Sequence, residues 1–406
     1  MEQTYKMKKS VLVLILTIII LIQILARMYV GFQKEYFHID ESYSYSLMNY
    51  DKIDITNNED FYNNWHTKDY YIDYLSINEQ EKWDWRPVYE NQKNDVHPPL
   101  YYLLLRIAAS FTINDFTKWT GIILNIIISV FSSILVYLIA EKLFKNQKMA
   151  LLTCLVTGLT IGALETTAFI RMYELANFFV LLISYLHIRL YSKKEITIKD
   201  LLFIGLSILL GSLTHYYVII YTAIIFIIFV IKYILNKEYK NLIKYILCFA
   251  IAAIMSLAIF PYSLTHIFGG YRGQEARSNL LNPENVFANL ALYLYILSKN
   301  LLGNLVVPVI ILYTILVISK ERIKKERNKN ELNIILIPTV VYFILVAQIS
   351  AYKELRYIMP ILSTAMICVI YTIYSLLKQY FSENKVRNYY NNSIYYYNNK
   401  SIIYKL

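Results

Sequence analysis

Apolar runs of about 20 residues recur along this 406-residue chain and leave it few ways to fold. Segments 11–30, 118–140, 172–190, 216–233 and 241–262 each match the ~17–25 residues with which a helix crosses a hydrocarbon layer of ~30 Å. The composition agrees: 57% of residues are hydrophobic and 17% charged, well below the ~25% charged residues usual in soluble domains. An all-α polytopic membrane protein is expected. The first run, 11–30, is longer than the ~7–15 apolar residues of a secretory signal and is followed by no small-residue cleavage site, so it reads as a retained first span.

The net charge of +11 suggests nucleic-acid binding until its distribution is examined. Segment 34–97 holds 14 acidic and 6 basic residues, whereas the short connections are basic, with 6 Lys and Arg against 2 Asp and Glu in 320–329. Basic connections belong in the cytoplasm, so the acidic segment belongs outside. The charge is orientation, and no nucleic-acid partner is expected. Ten spans fit this bias: about 11–30, 118–140, 149–165, 172–190, 200–214, 216–233, 241–262, 302–319, 332–350 and 356–377. Segment 286–297 adds an interfacial or partial crossing, and both termini fall in the cytoplasm. Pro98–Ser110 is too short for a crossing and is expected to lie along the outer surface as an amphipathic helix, its tyrosines in the headgroup region. Residues 31–117 form the first extracytoplasmic loop, 1–378 the membrane domain, and 379–406 a polar, low-complexity cytoplasmic tail. Cys154, Cys248 and Cys368 fall inside apolar spans without a CxxC or Cys/His cluster, and read as buried small residues.

Placed on this topology, the ionisable residues of the outer ends form one set: Asp40 and Glu41 after span one, His97 at the end of the loop, Glu165 and Arg171 between spans three and four, His215 between five and six, and Lys353, Glu354 and Arg356 before the last. Ionisable groups near membrane depth are costly and usually serve a site. A carboxylate there accepts the proton of a hydroxyl nucleophile. Arginine, with its bidentate fork, and histidine neutralise a phosphate. Paired acids instead hold a divalent cation. Each residue alone also has a plain reading. Asp40 and Glu41 then sit at a solvated helix end, His97-Pro98-Pro99 is a rigid turn, Arg171 snorkels, His215 is a loop histidine and Arg356 an interfacial anchor. Asp51, Asp54, Glu59 and Asp60 read as solvated charge. Their common side of the bilayer favours a site.

Asp40-Glu41-Ser42-Tyr43-Ser44, Asp95-Val96-His97-Pro98-Pro99-Leu100-Tyr101-Tyr102, Ile170-Arg171-Met172-Tyr173 and Thr214-His215-Tyr216 resemble, in that order, the signature of bacterial family-39-type membrane glycosyltransferases of the GT-C superfamily, relatives of protein O-mannosyltransferases and aminoarabinose transferases. The likeness in motif order covers roughly residues 10–235. Beyond it, Arg356-Tyr357-Ile358-Met359-Pro360 is similar to an Arg-Tyr-x-x-Pro segment at the last outer turn. The resemblance implies a GT-C-like bundle of about 10–12 transmembrane helices whose large first loop carries interfacial helices. It implies a polyprenyl-phosphate-linked sugar as donor, inversion at the anomeric carbon, and Asp40 as catalytic base with Glu41 beside it. His97 stands near the donor phosphate, and His215 stands where some relatives carry a phosphate-contacting lysine, although a neutral histidine is a poorer anion partner. Trp65, Trp83 and Trp85 match no family motif. They stack on sugar or anchor the loop to lipid, anchoring being favoured.

The leading function is therefore a plasma-membrane glycosyltransferase moving one sugar to an extracytoplasmic acceptor, whether glycan, lipid or protein, with Arg171, His215 and Arg356 on the phosphate. The alternative is a polytopic transporter or lipid-linked-sugar flippase, which places ionisable groups near the midplane and often shows internal repeats; no repeat is visible. A structural partner with a degenerate site is a third class. Asp95 and His97 are candidate ligands for a divalent cation, but two ligands are too few to define a metal site.

Overall fold

The computed structural model describes residues 7–49, 63–303, 328–375 and 377–378. All regular structure among them is helical. The long helices are α1 (Lys9–Gln33), α6 (Lys118–Phe144), α9 (Tyr173–Tyr191), α10 (Ile198–Ser212), α11 (Tyr216–Leu235), α12 (Tyr239–Ile259), α14 (Val286–Leu302), α15 (Asn328–Ile349) and α16 (Met359–Ser375). A bent pair, α7 (Gln147–Gly158) and α8 (Ile161–Ala168), precedes α9, and a short helix, α13 (Tyr271–Leu281), precedes α14. The first loop contributes α2 (Ile39–Met48), α3 (Lys68–Leu75), α4 (Arg86–Asn94) and α5 (Leu100–Ala109). Among the described residues, five helices are long and apolar enough to cross a membrane, and the bent pair makes a sixth. The chain is a polytopic all-α membrane protein. Helices lie at nine of the ten expected spans. Nearly all of the tenth, 302–319, lies outside the described residues, as do the tail 379–406 and the loop acids Asp51, Asp54, Glu59 and Asp60.

Helix α1 illustrates how the bundle meets lipid. Leu14, Leu21, Leu25 and Phe32 are exposed, while Ile19, Gln23, Arg27 and Gly31 form a buried stripe of four-residue spacing. That spacing keeps one face toward the partner helix. A Cβ on Gly158 would lie 2.2 Å from the Gln23 amide, so any side chain there would push that amide out of its place where α1 crosses the end of α7. There α7 and α8 meet at 55°. Such a break frees carbonyls that hydrocarbon cannot satisfy. Gln23 Nε2 donates to the Cys154 carbonyl at 2.8 Å and Arg27 Nη1 to that of Gly158 at 2.9 Å, while the Thr160 hydroxyl accepts from Ala163 N to cap α8. Arg27 Nε donates to the Thr167 hydroxyl, which donates to Glu174, so the arginine and the carboxylate of α9 are bridged inside the bundle. The three cysteines are free and buried.

The first loop is held by polar side chains. Arg106, fully buried on α5, donates to the carbonyls of Met48, Glu81 and Asp84. Asn49 Nδ2 donates to the carbonyls of Tyr74 and Ser76, and Asn91 Nδ2 to those of Leu47 and Asn49. This network corrects the expectation for Pro98–Ser110. The segment is helical, but Tyr101 and Tyr102 are fully buried within the protein and do not face headgroups. The Tyr101 hydroxyl donates to Asn125 Oδ1 of α6 at 3.2 Å, and Leu100 N donates to the Leu213 carbonyl at 2.9 Å. The Tyr101 hydroxyl thus finds its partner inside the protein, whereas the buried Tyr102 hydroxyl meets none and its ring lies instead beneath the Arg171 guanidinium.

Candidate active site at one end of the bundle

The site begins where the chain reverses after α1. His38 caps α2: its Nδ1 accepts from Asp40 N at 3.1 Å, and Glu41 accepts from His38 N at 2.7 Å. Asp40 therefore lies in the first turn of α2, where the helix dipole favours a carboxylate. Glu41 is fully buried and spent on structure. Its second oxygen accepts from Ile170 N at 2.8 Å, and Lys34 Nζ lies 2.8 Å from Oε2. Glu41 thus clamps the start of α2 to the turn between α8 and α9.

That turn carries Arg171. Asn125 Nδ2 donates to the carbonyls of Thr167 and Phe169, and Arg171 N donates to the Phe169 carbonyl at 2.7 Å, which fixes the loop. The buried Arg171 side chain reaches back to α2, donating from Nη1 to the Asp40 carbonyl at 3.2 Å and to the Ser44 hydroxyl at 3.3 Å. It lies over the Tyr102 ring, 5.8 Å from the centroid, and its Nε is a buried donor without a partner. The Asp40 carboxylate itself pairs with Arg356 Nη1, on the turn that leads into α16. Glu354 lies 3.0 Å from Arg356 Nε.

His97 and His215 complete the group, their ring centroids 6.0 Å apart. His97 Nδ1 is 2.8 Å from Asp95 Oδ2. Burial raises the Asp95 carboxyl, but His97, the Val96 amide and Arg171 outweigh it and hold the carboxyl below its ordinary value. Burial also lowers His97; Asp95 opposes this, yet the net shift is downward. His215 caps α11 through Nδ1, which accepts from Tyr217 N at 3.0 Å. Its burial, with His97 and Arg171 nearby, drives its pKa well below the usual imidazole value. Both rings are neutral at neutral pH.

Asp40, Asp95, His97, Arg171, His215 and Arg356 therefore share one end of the bundle. Glu165 does not join them: it is exposed on α8 and feels the charge of Lys299. Lys353 donates to the carbonyls of Gln348 and Ser350 at the end of α15. No group of three or more metal-ligating side chains occurs among the described residues, and Asp95 and His97 are paired with each other. Trp83 and Trp85 lie 5.9 Å apart with Phe111 against Trp83, and Trp65 is fully exposed.

Other side chains join the group, one of them, Tyr173, from the Ile170–Tyr173 motif and the rest from outside any motif. Tyr173 lies between Arg171 and His215, its ring 5.5 Å from the histidine. Arg272 of α13 lies over Tyr352, whose ring it shares with Arg356. His266, in a π-helical turn at Thr265–Gly269, is hydrogen-bonded to the Tyr216 hydroxyl and reaches the Lys93 carbonyl, which ties the segment after α12 to α4. Arg272 sits in a segment with balanced charge, and His266 is a lone histidine between Thr265 and Ile267, so neither carries a local pattern to single it out.

An all-helical membrane bundle carrying acids, histidines and arginines on the loops at one end is the frame expected of a GT-C-like glycosyltransferase. Residues 96–262 match the family model described as dolichyl-phosphate-mannose-protein mannosyltransferase. The match supports a GT-C glycosyltransferase of the mannosyltransferase type, and it spans His97, Arg171 and His215 but not Asp40 or Arg356. Neither the curated proteins nor the solved structures gave a match.

Proposed function

We propose that the protein transfers a sugar from a polyprenyl-phosphate donor to the hydroxyl of an extracytoplasmic acceptor, with inversion and with Asp40 as general base. The observation that carries this reading is the meeting of Asp40, Arg171, His215 and Arg356, which come from four separate parts of the chain. The acceptor O–H gives its proton to the Asp40 carboxylate as the acceptor oxygen bonds to the anomeric carbon. The bond from that carbon to the phosphate oxygen breaks, and its electron pair leaves with the polyprenyl phosphate. Arginines and N–H donors set around the departing phosphate stabilise the charge it gains. Arg356 touches Asp40, so a phosphate that draws this guanidinium away releases the carboxylate to act as base.

The test is an assay in membranes with radiolabelled polyprenyl-phosphate sugar. Release of lipid phosphate coupled to a glycosylated product is expected, and Asp40→Asn should abolish it in a folded, inserted protein. Passage of the sugar lipid across the bilayer without cleavage would instead indicate a flippase, and full transfer by Asp40→Asn would remove Asp40 as base.

A further inference from the structure

Two neutral histidines stand side by side at the site, and their hydrogen bonds fix opposite tautomers. Asp95 offers only acceptor oxygens when ionised, so the 2.8 Å contact requires the proton on His97 Nδ1. Nε2 of His97 then presents a lone pair. His215 is the reverse. Its Nδ1 accepts the Tyr217 backbone N–H, so its single proton resides on Nε2. A phosphate oxygen is an acceptor only, and a neutral ring can meet it only through an N–H. His215 qualifies and His97 does not. A lone pair at His97 Nε2 instead seeks an O–H.

Resting on the glycosyltransferase reading, we infer that His97 Nε2 accepts a hydrogen bond from a hydroxyl of the donor sugar, while His215 Nε2–H binds the phosphate to which that sugar is attached. The 6.0 Å between the two ring centroids is of the size that a phosphate and an adjoining sugar hydroxyl bridge. Arg171 stands on the phosphate side of this division, since its buried, unpartnered Nε–H is a charged donor. Asp95 touches no substrate here. It is a positioning residue, and its chemical effect is to choose which nitrogen of His97 carries the proton. Low imidazole pKa values at both rings agree with this, because protonation would turn His97 into a donor and erase the distinction.

The experiment measures binding of the full chain in nanodiscs to two lipids, undecaprenyl phosphate and undecaprenyl phosphate mannose. His97→Phe should weaken binding of the mannosyl lipid about 2- to 10-fold, the size of one neutral hydrogen bond, and leave binding of the bare lipid phosphate unchanged. His215→Phe should weaken both, about 10- to 100-fold, because its partner is charged. Equal weakening of both lipids by His97→Phe overturns the assignment, as does a wild-type chain that binds the two lipids equally. A wild-type chain that binds neither lipid overturns the glycosyltransferase reading itself, and the assignment with it. A readout independent of variant folding is the 15N spectrum of histidine-labelled wild-type protein. His97 is expected as the Nδ1–H form and His215 as the Nε2–H form, and Asp95→Asn should shift the His97 signals alone. An Nε2–H form at His97 overturns the proposal.

Discussion

Glu41 and Asp40 are neighbours in sequence with different work to do, and replacing each by its amide separates them. The Glu41 carboxylate is fully buried and meets three donors: the amides of His38 and Ile170 and the Lys34 ammonium. Glu41→Ala leaves all three without a partner. A buried donor stripped of its acceptor costs about 1–3 kcal/mol, and breaking a buried ion pair about 3–5 kcal/mol, so the combined loss should be at least about 4 kcal/mol. Glu41→Gln keeps one carbonyl oxygen to accept from a backbone amide and should cost about half as much. Asp40 is one-fifth exposed, its amide would still accept from Arg356, and Arg356 keeps Glu354 at 3.0 Å from its Nε, so Asp40→Asn should cost only about 1 kcal/mol. Thermal unfolding in detergent, read together with transfer from a lipid-linked sugar, makes the comparison. Glu41→Gln should lower the melting temperature and retain part of the activity, whereas Asp40→Asn should keep the melting temperature and lose the activity. A Glu41→Gln protein that melts like wild type and is inactive would refute the division, because Glu41 would then be acting chemically.

Three further outcomes follow from the same geometry. Arg171→Lys loses the planar fork that reaches Asp40 and Ser44 and the free Nε–H; donor affinity should fall about 10- to 100-fold, measured as KM for the lipid-linked sugar. Arg27→Met leaves the Gly158 carbonyl and Glu174 without their cation and should cost about 3–5 kcal/mol in unfolding experiments, with Glu174→Gln in the same chain restoring part of it. His215 should make stability fall in acid. Its folded pKa is depressed, so below the unfolded value of about 6.5 the unfolded chain takes up a proton that the folded chain refuses. Stability contributed by the neutral ring is present above that pH and lost as pH drops; His215→Asn, which keeps an acceptor for Tyr217 N, should flatten the dependence of melting temperature between pH 7 and 5.5.

Hydropathy located most of the helices because a bilayer imposes a minimum apolar length on any helix that crosses it, and that length leaves a direct record in residue order. Asp40, His97, Arg171, His215 and Arg356, grouped from the alternation of spans and loops, do lie together at one end of the bundle. The partners of each could not be grouped in this way. Glu41 looks like a second acid beside Asp40, and only the packing of the turn at 168–172 makes it a clamp. Arg106 sits on a helix whose apolar periodicity suits a lipid surface equally well, and its three carbonyl partners come from backbone that carries no sequence signature. Arg27 and Glu174 lie in different spans as lone charges, and their meeting through Thr167 depends on the bend after Gly158.

Asp40 and the guanidinium that touches it are 316 positions apart in the chain. Among the described residues every long helix except α16 precedes Arg356, so the pair closes only when the turn before α16 folds back onto the start of α2. A polypeptide clipped ahead of that turn keeps the Asp40 carboxylate and loses the guanidinium that meets it. The two ends of the described chain are in this way held to each other through a single ion pair.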